Sequence, residues 1–317
     1  MKIGLLDFSK VMERYGYKSS HKKETKLLKE AVEKAGHELI IIDPNEYQLF
    51  FRGRKHEVHE RNEKFEGCDV IIPRVGLTEG LDLEVSIVKQ FQMNKVPVVN
   101  KYMSILNAKN KLRTMQILSK KGIPVVKTVV VRKFDYLDAA IDIIGGYPVI
   151  LKTAFGTLGS GVVIVESRRS LHSALGMILD STQSNVLMIQ ECMLEAKGVD
   201  YRAFVIGDEV VASMKRTAQE GEFRSNLTLG GKAKATELTE KEKKMAVKAV
   251  KALRLQIGGV DILRTSKGPL IMEVNANPGF RGIMKATKID IAGKIVDFSV
   301  KYAENIAAKK SKKKTKK

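Results

Sequence analysis

Apolar runs of strand length alternate with amphipathic stretches through the first third of the chain. Lys2 to Leu6, Glu38 to Ile42, Asp69 to Ile72 and Val96 to Asn100 read as strands, while Glu24 to Gly36 and Asp82 to Asn94 carry helical spacing. This rhythm predicts an α/β lobe. Gly36 stands where a helix C-cap is needed, and Pro44, Pro73 and Pro97 fall beside strands, where they punctuate rather than interrupt. The segment Phe50-Phe51-Arg52-Gly53-Arg54-Lys55 is basic and holds a turn glycine; it reads either as a loop over a binding site or as a solvated turn.

From Ala108 the spacing of Leu112, Met115 and Leu118 predicts a helix that stops at Gly122 and hands over to a strand. A helix near Asp135 to Ile144, the strand Val149 to Lys152, a glycine-rich loop AFGTLGSGV and the strand Val162 to Val165 complete a second small α/β lobe. After a helix near Arg169 to Leu179, the strand Val186 to Gln190 enters a polar stretch, Glu191 to Asp200. Two strands follow, around Tyr201 to Ile206 and Val210 to Lys215. A loop from Thr217 to about Ala235 is expected, too long for a mere connector. Thr239 with Glu242 three residues on forms a capping box for the next helix, and a last helix runs from about Asp290 to Asn305.

The densest chemistry lies near the end of the pattern. GGVDIL from Gly258 and PLIMEVNANPG from Pro269 are apolar runs separated by the turn-like Thr265-Ser266-Lys267-Gly268, which predicts a hairpin. Glu273 and Asn275 share a strand face, and Asp261 on the partner strand can lie on that face too. Three oxygen ligands grouped this way suit magnesium, which takes one or two carboxylates and completes its shell with water and nucleotide phosphates. An ordinary hairpin with solvated acids would look similar, but Asp261 and Glu273 are embedded among Val, Ile, Leu and Met, where an unpaired carboxylate is costly to bury. Upstream, Lys152 ends a hydrophobic strand directly before the glycine-rich loop, a place where phosphates bind. The P-loop pattern itself is absent.

Composition narrows the picture. The chain has 317 residues, 44% of them hydrophobic, enough for two or three lobes. Cys68 and Cys192 lie far apart without metal-ligand spacing and read as buried thiols. No leader and no membrane-length apolar run is seen, so a cytoplasmic location is expected and a membrane partner is not. The formal net charge is +20, and the last nine residues, KKSKKKTKK, include seven lysines and no acid. Such a segment has nothing apolar to bury and predicts a disordered arm, either solubilising or able to contact RNA, the ribosome or an acidic protein tail. No zinc finger or aromatic-basic stacking pattern supports a dedicated nucleic-acid fold.

Several long segments resemble the ATP-grasp ligases and, within them, the RimK-like alpha-L-glutamate ligases. They are NKLRTMQILSKKGIP from Asn110, Lys152 with GTLGSGV, QECMLEAKGVDYRAFVIGDEVVA from Gln190, GEFRSNLTLGG from Gly221, GGVDIL, EVNANPG and IDIAGK from Ile289. FRGRK and VIIPRVG near the N-terminus are similar to the RimK branch, so the resemblance spans nearly the whole chain. It implies an α/β ATP-grasp fold in which an N-terminal lobe, residues 1–103, precedes two lobes, 104–187 and 188–307, that clamp ATP, with a disordered tail at 308–317.

The resemblance further implies roles residue by residue. Lys111 and Lys152 would hold nucleotide phosphates, and the hinge Glu191, Cys192, Met193, Leu194 through Asp200 would hold adenine and ribose. Asp261, Glu273 and Asn275 would bind magnesium, as two ions, with manganese a workable substitute. Arg202, Arg224, Ser225 and Asn226 would face the terminal phosphate and the acyl-phosphate intermediate. The implied activity is ATP-dependent ligation of an amino acid, L-glutamate first, to a carboxylate on a protein C-terminus or a glutamyl-bearing small molecule, by a homo-oligomer. A cofactor or amino-acid derivative as acceptor is one alternative; a non-catalytic ATP-binding protein that docks on RNA or ribosomes is another. After NPG the chain departs from the bacterial pattern with Phe280-Arg281-Gly282 in place of an acidic stretch, which leaves acceptor choice open; Arg281 and the Phe51-to-Lys55 loop are candidates for reading a carboxylate-rich acceptor.

Overall fold

Parallel pairing organises the first lobe in the computed structural model, which describes residues 1–14, 21–75, 81–153, 162–181 and 187–314. β1 (Lys2–Asp7) leads through α1 (Ser9–Arg14) and α2 (His21–Lys34) to β2 (Glu38–Ile42). β3 (Tyr47–Arg52), β4 (Lys55–Glu60) and β5 (Glu63–Lys64) precede β6 (Val70–Arg74), α3 (Leu81–Glu84) and α4 (Ser86–Met93). β1 lies between β2 and β6, parallel to both. Gly36 adopts φ +71 just past α2, the left-handed geometry that stops a helix. The expected strand at Val96 to Asn100 is reduced to a single bridge between Val98 and Ile71. The Phe50 to Lys55 segment is not a loop: it is the tip of an antiparallel hairpin formed by β3 and β4.

Next, α6 (Lys111–Lys120) fills most of the helix expected from Ala108, while α5 (Tyr102–Lys109) precedes it as a helix that is not expected. Asn110 separates them, because its side-chain oxygen accepts from Arg113 N at 3.0 Å and caps α6. The central lobe contains β7 (Thr128–Val131), α7 (Leu137–Ile144), β8 (Val149–Thr153), β9 (Val162–Val165), α8 (Arg168–Ser181) and β10 (Leu187–Glu191). Its antiparallel sheet has the order β7-β10-β8-β9, so β10, on both sides of the expected boundary at 187–188, belongs to this sheet.

The third lobe is a five-stranded antiparallel sheet. β11 (Val199–Ile206), β12 (Glu209–Thr217), β13 (Lys232–Ala235), α9 (Glu240–Ala252), β14 (Ile257–Thr265) and β15 (Gly268–Asn275) give the order β13-β12-β11-β14-β15. The long loop expected to Ala235 is shorter, because its last residues pair with β12 as β13. The capping box at α9 forms, with Thr239 Oγ1 accepting from Glu242 N at 3.3 Å and Glu242 Oε2 accepting from Thr239 N at 2.8 Å. α10 (Arg281–Thr287) and α11 (Ile291–Lys314) end the described chain.

α11 corrects the expectation of a disordered tail from residue 308, since it continues as helix to Lys314. Its first turns are anchored by buried Ile291, Ile295, Val296 and Ala303, and lysine is a good helix former that suits the negative C-terminal end of the dipole. Lys310 Nζ also donates to Lys95 O at 2.9 Å. Cys68 and Cys192 are free thiols, half-buried rather than buried. Among the described residues no helix is long and apolar enough to cross a membrane.

Candidate active site

A cavity of about 980 Å³ lies where the three lobes meet. β14 and β15 supply its acidic side. Asp261 is paired directly with Glu273 and Gly259 with Asn275, so the three side chains share one face as the sequence predicts. The pairing then slips between Asp261 and Ile262, leaving Met272 as an extra residue, a bulge set at the two carboxylates. Gly259 is required for the next turn of chain to approach: a Cβ there would stand 2.7 Å from Pro278 Cβ.

Cross-strand register places two arginines against the acids. Arg202, opposite Asp261, donates from Nε and Nη2 to its two oxygens, each at 2.7 Å. Arg216, opposite Asp200, donates to both Asp200 oxygens at 2.6 and 2.7 Å and also reaches Asp261 Oδ2 at 2.9 Å. Ser225 donates to Asp200 as well. Asp261 and Asp200 are each 2% exposed, so bidentate pairing is what makes these charges tolerable. Burial works to raise the Asp261 pKa, but Arg202 and Arg216 outweigh it and hold the carboxyl below its usual range.

The opposite wall is basic. Lys152 on β8 and Lys109 at the end of α5 line the cavity with Lys111, the first residue of α6. Loss of hydration pushes both Lys152 and Lys109 down to about 8; Glu273 opposes the change and Lys111 adds to it. Arg224 also lines the cavity while held by Glu222 at 2.7 Å, a contact that lowers the Glu222 pKa to about 2.

Of the residues expected at a site, Lys111, Lys152, Glu191, Cys192, Met193, Asp200, Arg202, Arg224, Ser225, Asn226, Asp261, Glu273 and Asn275 all border this cavity. Leu194 does not; it is 58% exposed. Asp200 is engaged by Arg216 and Ser225, which makes it part of the site's framework. Arg281 reaches the cavity, whereas Phe51 to Lys55 do not line it. Residues 154–161 of the glycine-rich loop lie outside the described residues. Sequence reasoning missed Lys109, Arg216 and Asn277 as members of the site.

The donor set fits a hard cation and an anion together. Two carboxylates and an amide oxygen on one face suit magnesium, which takes one or two protein carboxylates and fills its octahedral shell with water and phosphate oxygens; Asp261 would share its oxygens with Arg202 and Arg216, and the three lysines match phosphates. Asn277 Oδ1, Asn277 Nδ2 and Asn275 Nδ2 are buried with no partner among the described residues, as expected where a bound group supplies the hydrogen bonds.

Solved structures with this architecture are ATP-grasp ligases. One of PsnB with a minimal precursor superposes with a TM-score of 0.71 at 18% identity, covering 95% of this chain and 98% of that one. A RimK domain protein from Sphaerobacter thermophilus gives 0.70 at 21% identity, covering 94% and 99%. The fold is therefore an ATP-grasp fold, which implies binding of ATP with magnesium. Family models narrow it: the RimK PreATP-grasp domain matches residues 17–105 and the RimK-like ATP-grasp domain residues 108–299. A probable alpha-L-glutamate ligase of Pseudoalteromonas translucida is 41% identical over 305 residues, 96% of this chain and 97% of its own length. The chain belongs to the RimK-like ATP-grasp family and is an ATP-dependent ligase. That sets aside a non-catalytic ATP-binding protein.

Proposed function

We propose that the chain joins L-glutamate to an acceptor carboxylate, with the C-terminus of an acidic protein tail as acceptor, through an acyl phosphate. The observation that carries this reading is the convergence of Asp261, Glu273 and Asn275 with Lys111 and Lys152 on one cavity. In this reading Lys111 and Lys152 hold the phosphates, and Glu191, Cys192 and Met193 hold the base. Asp261, Glu273 and Asn275 hold magnesium, in two ions replaceable by manganese. Bound magnesium supplies positive charge to the oxygens of the transferring phosphoryl group.

The chemistry is then positioning and electrostatics. An acceptor carboxylate oxygen attacks the terminal phosphorus and ADP leaves. The glutamate amine attacks the acyl carbon, phosphate leaves, and the nitrogen gives its proton to solvent. Arg202, fixed by Asp261, and Arg224 with Asn226 stabilise the negative oxygens of the two transfers. Arg281 at the cavity supports an acidic acceptor over a neutral one. The name of the Pseudoalteromonas relative supports glutamate as the amino acid.

The test is phosphate release with ATP, magnesium and each amino acid, against peptides ending in glutamate and against glutamylated small molecules, with products weighed by mass spectrometry. Glutamate-dependent release and a gain of glutamyl units on the peptide are expected. Turnover with small molecules alone would move the acceptor to that class, and turnover with another amino acid would overturn the glutamate assignment.

A further inference from the structure

A carboxylate of the first lobe reaches across to the loop that follows β15. Glu24 stands in the first turn of α2 and is 4% exposed. Its Oε1 accepts from Phe280 N at 2.8 Å and from Arg281 N at 3.4 Å, while Oε2 accepts from Arg74 at the end of β6. The Arg74 guanidinium in turn lies 5.2 Å from the centre of the buried Phe280 ring. Gly279 allows this approach, since a Cβ there would already stand 3.3 Å from Glu24 Oε1.

The loop so held, residues 275–281, begins at Asn275, passes Asn277 and ends at Arg281, all of which border the cavity. Phe280 places no side-chain cap on the helix that starts at Arg281, so the amide donors there are met by another lobe. At the other end of the loop Asn100 Nδ2 donates to Ala276 O at 2.8 Å. Both ends of the loop are therefore tied to side chains outside the third lobe.

We propose that Glu24 is a positioning residue: through the Phe280 and Arg281 amides it sets the placement of Asn275, Asn277 and Arg281, so that the first lobe controls metal affinity and acceptor recognition at side chains the third lobe carries. The Arg74 guanidinium holds and aims the Glu24 carboxylate. The proposal rests on the metal and acceptor roles given above to Asn275 and Arg281.

Replacing Glu24 alone by Ala would strand Arg74 as an unpaired buried charge and confuse folding with positioning. Two double variants avoid this. Glu24→Gln with Arg74→Met keeps a carbonyl oxygen for the two amides; Glu24→Leu with Arg74→Met fills the same space without an acceptor. Magnesium-dependent ADP binding, read by calorimetry, is expected to weaken at least tenfold in the Leu/Met variant relative to the Gln/Met variant, with magnesium-free ADP binding equal in the two. Equal magnesium dependence in the two folded variants overturns the proposal. Should the Leu/Met variant not fold, amide exchange at Phe280 and Arg281 in Glu24→Ala with Arg74→Met decides: at least tenfold faster exchange than in the Gln/Met variant supports the contact as a determinant, and equal exchange overturns it. Neither readout needs turnover, so a wrong acceptor or amino acid would appear separately, as inactivity of the parent.

Discussion

The first and third lobes share one hydrophobic core, while the central lobe keeps its own. Phe8, Phe91, Ile105 and Leu118 belong to the same buried cluster as Ala246, Val250, Val260 and Val274. Val131, Leu137, Ile141, Val149, Leu151 and Ile189 of the central lobe form a separate cluster. Among the described residues, contacts between the central lobe and the rest include a cluster around Met115 and Met188 and a bridge from Val125 to Ile271. The difference teaches that the two sides of the cavity belong to separately packed bodies. Asp261, Glu273 and Asn275 sit on the sheet of the fused one; Lys152 sits on the lobe that keeps its own core.

Core truncations should separate the two regions most sharply. Phe91→Ala is expected to cost about 3–5 kcal/mol and to lower the urea midpoint of the whole fused body. Leu151→Ala should cost about 2–5 kcal/mol, but faster hydrogen exchange should be confined to the central lobe. Exchange that spreads equally in both variants would erase the distinction.

Two substitutions on the fused body come next. Glu273→Gln should reduce phosphate release by about 10²–10³-fold, the scale of losing one charge-stabilising group, with little change in stability. Asp261→Asn should lose activity as well, and in addition destabilise by about 3–5 kcal/mol, because Arg202 and Arg216 lose a buried partner. Equal thermal midpoints for the two variants would contradict the arginine clamp.

pH probes the basic wall of the cavity. Lys152 and Lys109 titrate near 8 in the folded chain, below the ordinary lysine value of 10.5. Between about 8 and 10.5 the unfolded chain binds more protons, so these two lysines make stability rise with pH through that window. On the phosphate-binding role proposed for this wall, ADP affinity should fall as pH rises above about 8, and binding at that pH should take up protons. Calorimetry in two buffers of different ionisation enthalpy would detect the uptake; identical heats would place the lysines away from the phosphates. The smallest effect expected is Thr239→Ala, about 1 kcal/mol from loss of the α9 cap, with activity unchanged.

The hairpin that carries the carboxylates was legible because strand alternation and a four-residue turn fix which side chains share a face. Other parts of the site were hidden for identifiable reasons. Asn110 looks like one more residue of a continuous helix, so the break that brings Lys109 and Lys111 together at the cavity does not show in periodicity. Arg202 and Arg216 meet the acids through the registers of β11 with β14 and with β12, and register is a property of the assembled sheet. The β3 and β4 hairpin escaped notice because its strands are only partly buried and mix charged with aromatic residues. Met272 is invisible as a bulge in a run that reads as an unbroken strand.

α11 also bears on how the chain is made. Ile291, Ile295, Val296 and Ala303 share a buried cluster with Ile3, Leu28 and Val70, which lie near the other end of the sequence. The apolar face of the first lobe therefore waits for residues synthesised long after it. Contacts so distant in sequence slow folding and leave that face open to aggregation during synthesis.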